Sequence, residues 1–423
     1  MKVLLVGGGG REHALAWRLA ASPQCDRLYA APGNPGISKL ADCVNIPAED
    51  VDGLAKFAIA EKIDLTVVGP EDALAGGLVD RIEAAGLKAF GPSAAAAQIE
   101  ADKGFAKQLM RHYAIPTAEA RVFDDFHQAE EYILSRTEPL VVKASGLAKG
   151  KGAYVCDSPE QALDALAEVM QKRVHGAAGD HVVIEQRLAG PEVSLLAFVD
   201  GRTIYVMEPA QDHKAVGDGD TGPNTGGMGA YSPVPIATEA IISQVEREVL
   251  VPTIDGMRRS GLPYKGVLYA GLMLTAGGPR VIEFNCRFGD PETQPILMRL
   301  QSDLLEVLWA VANGTLEDVT LRWDSRAAVC VVMASGGYPG DYKKGLPITG
   351  IEAAEAGGDD VKVFHAGTTT KAGQLVTAGG RVLGVTALGN SIADAKTRAY
   401  AAVEKISFPG AHFRRDIGDK AIR

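Results

Sequence analysis

The residues best suited to chemistry lie in Val281-Ile282-Glu283-Phe284-Asn285-Cys286-Arg287, a segment that reads as a strand. Residues two apart on a strand share a face, so Glu283 and Asn285 point together. A carboxylate beside an amide oxygen is a pair of hard ligands suited to Mg²⁺ bridging nucleotide phosphates. Arg287 joins that face if the strand persists, with a planar fork that matches a carboxylate or phosphate. The competing reading is an edge strand whose polar residues face water.

Two glycine-rich turns invite an anion. Gly7 to Gly10 follows a strand and opens a helix at Arg11-Glu12-His13, and a helix N-terminus offers free N–H groups and a positive dipole end. A dinucleotide fingerprint fails in detail, because GxGxxG begun at Gly7 meets Glu12 and begun at Gly8 meets His13. Nor does the second strand end in an acid, since Tyr29-Ala30-Ala31-Pro32 stands there. Gly146 to Gly152 is not a Walker loop either: three residues separate Gly146 from Gly150, Gly152 follows Lys151, and the loop joins two strands. What remains is a mobile flap able to close on phosphates through Lys149, Lys151 and backbone amides. Gln211-Asp212-His213-Lys214 through Gly226-Gly227-Met228-Gly229 reads as a polar, glycine-dense loop of nineteen residues. Loops this long are usually functional or disordered, and the flanking strand and Ala230-Tyr231 favour an ordered one. His213 is assigned no catalytic role.

The elements that must position these groups fall into three parts. Over residues 1–100, strands at Lys2–Val6, Arg27–Ala31 and Leu65–Val68 alternate with helices, and each ends in a glycine- or proline-rich turn. That is the pattern of a doubly wound parallel sheet, whose ligands sit at the carboxyl ends of the strands. Residues 101–325 begin with one helix spanning Ala94–Tyr113 across the boundary, followed by strands at Pro139–Ala144, Tyr154–Cys156, His181–Gln186, Val193–Val199 and Thr203–Met207. Lys265–Leu274 and Pro279–Phe284 pair around Gly277-Gly278. A third part, 326–423, carries strands at Ala327–Ala334, Val361–His365, Leu375–Thr377 and Arg381–Thr386, and a closing helix capped at Ser391.

With 43 basic and 53 acidic residues the net charge is -10, which disfavours nucleic acid as a partner. The five cysteines form no CxxC pair, so neither a disulfide framework nor a zinc site is expected. The apolar N-terminal stretch is too short for a signal peptide. The longest apolar run, the eight residues Ala327–Ala334, falls far below the ~20 needed to span a bilayer. The expectation is a soluble cytoplasmic protein, away from membranes and monomeric or weakly dimeric.

Taken together, GGGGREHAL at the start, APGNPG at 31–36, VGPE at 68–71, GLAKGKG at 146–152, QDHK at 211–214, DTGPNTGGMGAYSP at 220–233 and VIEFNCRFGDPETQP at 281–295 resemble the glycinamide ribonucleotide synthetases, a phosphoribosylamine–glycine ligase family of the ATP-grasp superfamily. The resemblance runs over essentially the whole chain. It implies an α/β protein with a doubly wound N-terminal domain (1–100), a central ATP-grasp domain (101–325) whose flap subdomain covers about 118–190, and a small C-terminal α+β domain (326–423). It also implies ATP-dependent ligation of glycine to 5-phosphoribosylamine through glycyl phosphate, in de novo purine biosynthesis. A carboxylate needs such activation because oxide is too poor a leaving group for direct attack by an amine. Little covalent chemistry is then asked of the protein beyond positioning and charge neutralisation.

Carried onto matching positions, the resemblance makes Glu283 and Asn285 the Mg²⁺ (or Mn²⁺) ligands. Lys103 and Lys143 become the nucleotide-phosphate lysines, with Gly150, Lys151 and Gly152 in the flap. Glu185 and Leu188 fall in the adenine hinge, and Glu192 on the ribose hydroxyls. Gly9, Arg11, Glu12, Asn34 and the loop at Gly226, Gly227 and Met228 fall at the phosphoribosylamine site. Asp212, with Lys214 beside it, and Arg287 are the candidates for gripping glycine and, with Lys143, for catalysis. Two departures stand out. Ser145 occupies a position where the family usually has aspartate, and no metal carboxylate lies between Gly266 and Leu274. Three rivals remain: an ATP-grasp carboxylate–amine ligase with a different acid or amine, a nicotinamide dehydrogenase using the N-terminal sheet, and a non-catalytic nucleotide sensor.

Overall fold

In the computed structural model, which describes residues 1–148 and 151–422, alternate residues of Lys2–Gly7 (β1) face different apolar cores. Leu4 and Val6 join one, Val3 and Leu5 the other, and all four are fully buried. A strand covered on both faces belongs to a parallel sheet between helical layers. Arg27–Pro32 (β2), Asp42–Cys43 (β3), Leu65–Val68 (β4) and Lys88–Phe90 (β5) complete that sheet in the order β3-β2-β1-β4-β5, with every pairing parallel. The chain leaves β1 toward β2 and later returns to β4 on its other side. The crevice expected at such a switch point therefore opens beyond the carboxyl ends of β1 and β4.

The single helix expected over Ala94–Tyr113 is two helices, Ala94–Ala101 and Lys103–His112. Asp102 between them is extended (φ −134°, ψ 103°), and its carboxylate accepts the Phe105 N–H at 3.1 Å. Aspartate is a strong N-cap, a preference that the continuous apolar spacing concealed. The break sets Lys103 at the start of the second helix.

Ala120–Phe123 (β6), Leu140–Ala144 (β7), Ala153–Cys156 (β8) and Val182–Gln186 (β9) form an antiparallel sheet ordered β6-β9-β7-β8 over a small core of its own. β7 and β8 are the two arms of the expected flap; Gly150 lies outside the described residues. Glu192–Val199 (β10) and Ile204–Val206 (β11) follow. The stretch read as a nineteen-residue loop is itself folded. It runs from Gln211–Asp212 (β12) through the hairpin Ala215–Gly217 (β13) and Thr221–Asn224 (β14) to Gly229–Ser232 (β15). Strands of two to four residues rich in glycine show no readable alternation, which hid them from the sequence.

Gly266–Thr275 (β16) and Gly278–Asn285 (β17) pair antiparallel and join β10 and β11 in the order β11-β10-β16-β17. Gly271 faces Glu283 while Leu272 faces Val281, so Ile282 is an extra residue in β17 and forms a bulge. β17 ends at Asn285, and Arg287 lies beyond the strand. The last sheet combines Ala327–Ala334 (β18), Val361–His365 (β19) and Arg381–Gly389 (β22) with β12 and β15, in the order β12-β15-β18-β22-β19. Thr368–Lys371 (β20) and Gln374–Thr377 (β21) form a separate hairpin. Two strands from the middle of the chain thus complete the C-terminal sheet. No helix among the described residues is long and apolar enough to cross a membrane.

Candidate active site

A cleft of about 1290 Å³ opens where these layers meet. Arg11, Glu71, Lys103, Lys143, Glu185, Leu188, Glu192, Asp212, Lys214, Gly226, Glu283, Asn285 and Arg287 all line it, so most of the groups singled out in the sequence converge on one cavity.

One end is rich in lysine. Glu185, on β9, is buried and ion-paired with both Lys143 on β7 and Lys107 on the helix Lys103–His112, the latter at 2.5 Å. Burial would raise the Glu185 carboxyl, but Lys143 and Lys107 outweigh it and hold it below the ordinary range. Lys143 Nζ also donates to the Ile282 carbonyl at 3.1 Å, the group that the bulge turns toward it. Lys103 Nζ donates to the Gly146 carbonyl at 3.0 Å, and burial lowers its pKa against the opposing pull of Glu283. The Glu185 side chain thus faces the lysines, leaving its backbone and Leu188 at the mouth of the cleft. Ser145 donates to Asp102 at 2.7 Å and accepts the Gly104 N–H at 2.9 Å. A carboxylate there would confront Asp102; the hydroxyl can do both tasks. Lys151 Nζ donates to the Pro339 carbonyl at 3.3 Å and does not line the cleft.

Glu283 sits between the two ends. No direct hydrogen bond or ion pair engages its carboxylate among the described residues. Burial pushes its pKa up, but Lys214, Lys143, Lys103 and Arg287 outweigh that and keep it below the ordinary value. Asn285 Oδ1 lies 3.1 Å from Arg287 Nη2. No group of three or more His, Cys, Asp or Glu among the described residues could enclose a metal. An unpaired carboxylate and an amide oxygen lining the same cleft nevertheless fit Mg²⁺, which takes one or two protein ligands and completes its shell with phosphates and water.

The opposite end is organised by arginine. Arg287 donates to Glu71 (3.2 Å), Asn285 (3.1 Å) and the Phe288 carbonyl (3.3 Å), and pairs with Glu100 at 2.9 Å. Its fork is largely engaged within the protein, and the residue lines the cleft where a substrate carboxylate was expected. Glu71 and Glu100 come from the N-terminal region, so Arg287 ties that layer to β17. Burial alone would raise Glu71, but Arg287 and Arg11 bring it down to about 2.

Three further expected site residues make contacts within the protein. Glu12 folds back on its own helix, with Oε2 accepting the Gly9 N–H at 2.7 Å and Oε1 taking Arg11 Nε at 2.5 Å. Its carboxylate fills the anion position of the glycine turn, supplying the one half of a capping box that a glycine N-cap allows. Gly7 and Gly69 make room for it: a methyl at Gly69 would lie 2.2 Å from Oε1, and one at Gly7 2.6 Å from Cγ. Asn34 spends its amide on backbone, donating to Gly8 (2.8 Å) and His365 (2.9 Å) and accepting from Gly36 and Ile37 (both 2.9 Å). It latches the N-terminal sheet to β19. Burial takes His13 down to about 3, and its neutral imidazole accepts the His365 N–H at 2.7 Å in the same seam. Met228 is fully buried, and its N–H and carbonyl pair with His213 and Val332. Of Gly9, Arg11, Glu12 and Asn34, only Arg11 lines the cleft.

Around Asp212 the site is acidic. Its carboxylate accepts the His213 N–H at 2.6 Å and Lys214 Nζ at 3.2 Å. Burial, reinforced by Glu292 and opposed by Lys214, lifts it to about 7. Gly227, at φ +115°, passes so close that a methyl would lie 2.7 Å from Asp212 Oδ1. Glu292 is buried and accepts Tyr269 OH at 2.5 Å and Ser194 OH at 3.2 Å. Arg381, at the start of β22, donates to the carbonyls of Gly226 (2.7 Å) and Asp290 (2.6 Å) and lines the cleft. His213 is buried, and burial lowers it to about 4, so its imidazole is neutral.

Sequence reasoning missed Lys107, Glu71, Glu100, Glu292 and Arg381 as site residues. Lys107 lies one helical turn from Lys103, a spacing that puts both on one face. Glu71 closes the noted VGPE turn. Arg381 has no local signal, because only the last sheet brings it to Gly226.

The phosphoribosylglycinamide synthetase family matches in three successive parts: its N domain over residues 1–100, its ATP-grasp (A) domain over 101–293 and its C domain over 328–420. A phosphoribosylamine–glycine ligase from Rhodopirellula baltica is 53% identical over 427 residues, covering 99% of this chain and 98% of the relative. The crystal structure of the Thermotoga maritima phosphoribosylamine–glycine ligase is similar with a TM-score of 0.86 at 33% identity, over 99% of this chain and 100% of that one. A Hydrogenobacter thermophilus 2-oxoglutarate carboxylase biotin carboxylase domain, solved with MgADP and bicarbonate, shares the fold at a TM-score of 0.74 and 16% identity, over 97% and 91% of the two chains.

Proposed function

The chain belongs to the phosphoribosylglycinamide synthetase family, and from that membership we infer that it is an ATP-dependent ligase. It joins glycine to 5-phosphoribosylamine, giving glycinamide ribonucleotide, ADP and phosphate, in purine-nucleotide biosynthesis. The observation that carries this reading is the continuity of the cleft, which runs from the lysines of β7 and the helix Lys103–His112 past Glu283 to Asp212 and Gly226.

Phosphoryl transfer asks for charge neutralisation and alignment. Lys103 and Lys143 meet the nucleotide phosphates, while the backbone at Glu185–Leu188 receives adenine and Glu192 the ribose. Lys143 exchanges Glu185 for phosphate oxygens, and Lys107 keeps Glu185 neutralised when it does. Glu283 and Asn285 would hold Mg²⁺ (or Mn²⁺), which would supply charge neutralisation for the phosphates. The glycine carboxylate attacks the γ-phosphorus, ADP leaves and glycyl phosphate forms. The amine of phosphoribosylamine then attacks its carbonyl and expels phosphate. Asp212 holds the glycine ammonium or accepts the proton released by the attacking nitrogen, and a carboxyl near 7 suits either task at neutral pH. Arg11, Lys214, Arg381 and the Gly226-Gly227 backbone bound the phosphoribosylamine end. Gly9, Glu12 and Asn34 shape that end from behind.

ADP release with Mg-ATP, glycine and fresh phosphoribosylamine, omitting each in turn, tests this assignment. ADP formed only with all three supports it. ADP formed with another acid or amine moves the chain to a different ligase reaction, and none from a folded, metal-loaded sample removes the activity.

A further inference from the structure

The hairpin β13–β14 projects at the phosphoribosylamine end of the cleft, which Asp220, Gly222 and Asn224 line directly. Residues 218–224 are all exposed, so no apolar core fixes them. They are held instead by the end of the chain. Arg414, fully buried, forks onto both oxygens of Asp416 (2.8 and 2.7 Å) and donates to Asp220 (2.9 Å) and the Ala215 carbonyl (3.1 Å). Asp416 accepts the Gly219 N–H at 2.9 Å, and Asp218 accepts the Arg415 N–H at 2.7 Å. Lys420 pairs with Asp220 at 2.7 Å. His412 meets the Val216 carbonyl at 2.9 Å and is itself bridged to Ala334 of β18.

Asp220 stands at φ +58°, a left-handed conformation that a non-glycine residue keeps only when its surroundings over-determine it. Arg414 and Lys420 supply that constraint from one side of its carboxylate. The hairpin continues through Thr225 into Gly226 and Gly227, which pass beside Asp212. A polar strap on the hairpin therefore fixes the wall of the substrate site from outside it.

We propose that Arg414 and Asp416 are positioning residues for the phosphoribosylamine site, acting through the hairpin to set affinity for the phosphorylated amine and not for ATP. The inference rests on the ligase assignment above.

Steady-state KM values for the three substrates test it in Arg414→Met, Arg414→Lys and Asp218→Ala, with thermal melts on each. Arg414→Met is expected to raise KM for phosphoribosylamine by about tenfold, the scale of one charge-assisted hydrogen bond, with KM for ATP nearly unchanged. Arg414→Lys should recover part of that loss, since it keeps the charge but not the fork. Asp218→Ala, on the exposed hairpin, should give a smaller rise in the same KM. If Arg414→Met does not fold, the two milder variants decide. Folded variants that melt earlier but keep the phosphoribosylamine KM would overturn the proposal, as would equal rises in all three KM values. A wild-type protein without ligase activity would overturn the assignment beneath it as well; an active one with unmoved KM values sinks only the strap.

Discussion

The two ends of the cleft balance charge in opposite ways. At the nucleotide end two lysines, Lys107 and Lys143, share one carboxylate, Glu185, and Lys103 meets only a carbonyl. At the other end two carboxylates, Glu71 and Glu100, share one guanidinium, Arg287, with Asp212 and Glu292 nearby. The first end carries surplus cation, which suits incoming phosphates. The second sets Glu71, Glu100, Asp212 and Glu292 against Arg287, Arg11, Lys214 and Arg381, a paired lining that suits a substrate with both an amine and a phosphate. Side-chain choice follows the same division. Lysine is a point charge on a flexible stem and changes partners readily, whereas the arginine fork locks two layers in register. One end is poised to exchange partners and the other is prebuilt.

The largest effect expected from this contrast is at its midpoint. Glu283→Ala should lower turnover by about 10³-fold, the scale of losing one preorganised charge-stabilising group, without altering the circular dichroism spectrum. Activity retained with Mg²⁺ would remove Glu283 from the metal site. Next, the ends should separate by what is lost. Lys143→Met should cost about 10²-fold in kcat/KM for ATP with little change in Tm. Arg287→Met should cost about 3–5 kcal/mol of stability, because it strands the buried Glu100 carboxylate and leaves Glu71 with Arg11 alone, and equal Tm losses in the two variants would break the contrast.

Two pH effects are finer. Asp212 has its folded pKa raised to about 7, so it is ionised above that pH and protonated below it. kcat/KM for phosphoribosylamine should rise with pH through about 7, and the step should vanish in the slower Asp212→Asn. The same raised value means that Asp212 weakens the fold as pH climbs from about 4 toward 7, so the Asn variant should melt no lower than wild type at pH 8. Glu71 is shifted the other way, to about 2. Its contribution is present above the unfolded value of about 4.3 and fades as pH falls toward 2, a loss that Glu71→Gln should not show in Tm–pH curves.

How much of this was legible in the sequence depends on whether the signal is local. The parallel sheet showed itself because β1, β2 and β4 each end in a glycine or proline turn, and Glu283 with Asn285 because a strand puts i and i+2 on one face. Lys103 and Lys143, which line the cleft, were singled out by the family motifs and not by any local pattern. A motif fixes residue type but not where a side chain points, so the backbone contacts of Asn34 and the burial of Met228 were not legible. The hydrogen bond from the Gly9 N–H to Glu12 has a local signal in their three-residue spacing, but the glycines drew attention to an external anion. Of the strands in 211–232, β15 was hidden because it pairs with β18, about a hundred residues away along the chain, and the others because they are too short or too glycine-rich to show alternation. Arg381 and Arg414 were invisible for the same reason as β15.

The most direct test follows oxygen from glycine. Glycine carrying ¹⁸O in both carboxyl oxygens is turned over with Mg-ATP and phosphoribosylamine, and the phosphate released is weighed by mass spectrometry. One ¹⁸O per phosphate is expected, because the glycine carboxylate attacks phosphorus and its oxygen leaves with the phosphate. Phosphate without ¹⁸O, formed at the rate of glycinamide ribonucleotide, would contradict transfer to the glycine carboxylate and with it the division of the cleft into a phosphate end and an amine end.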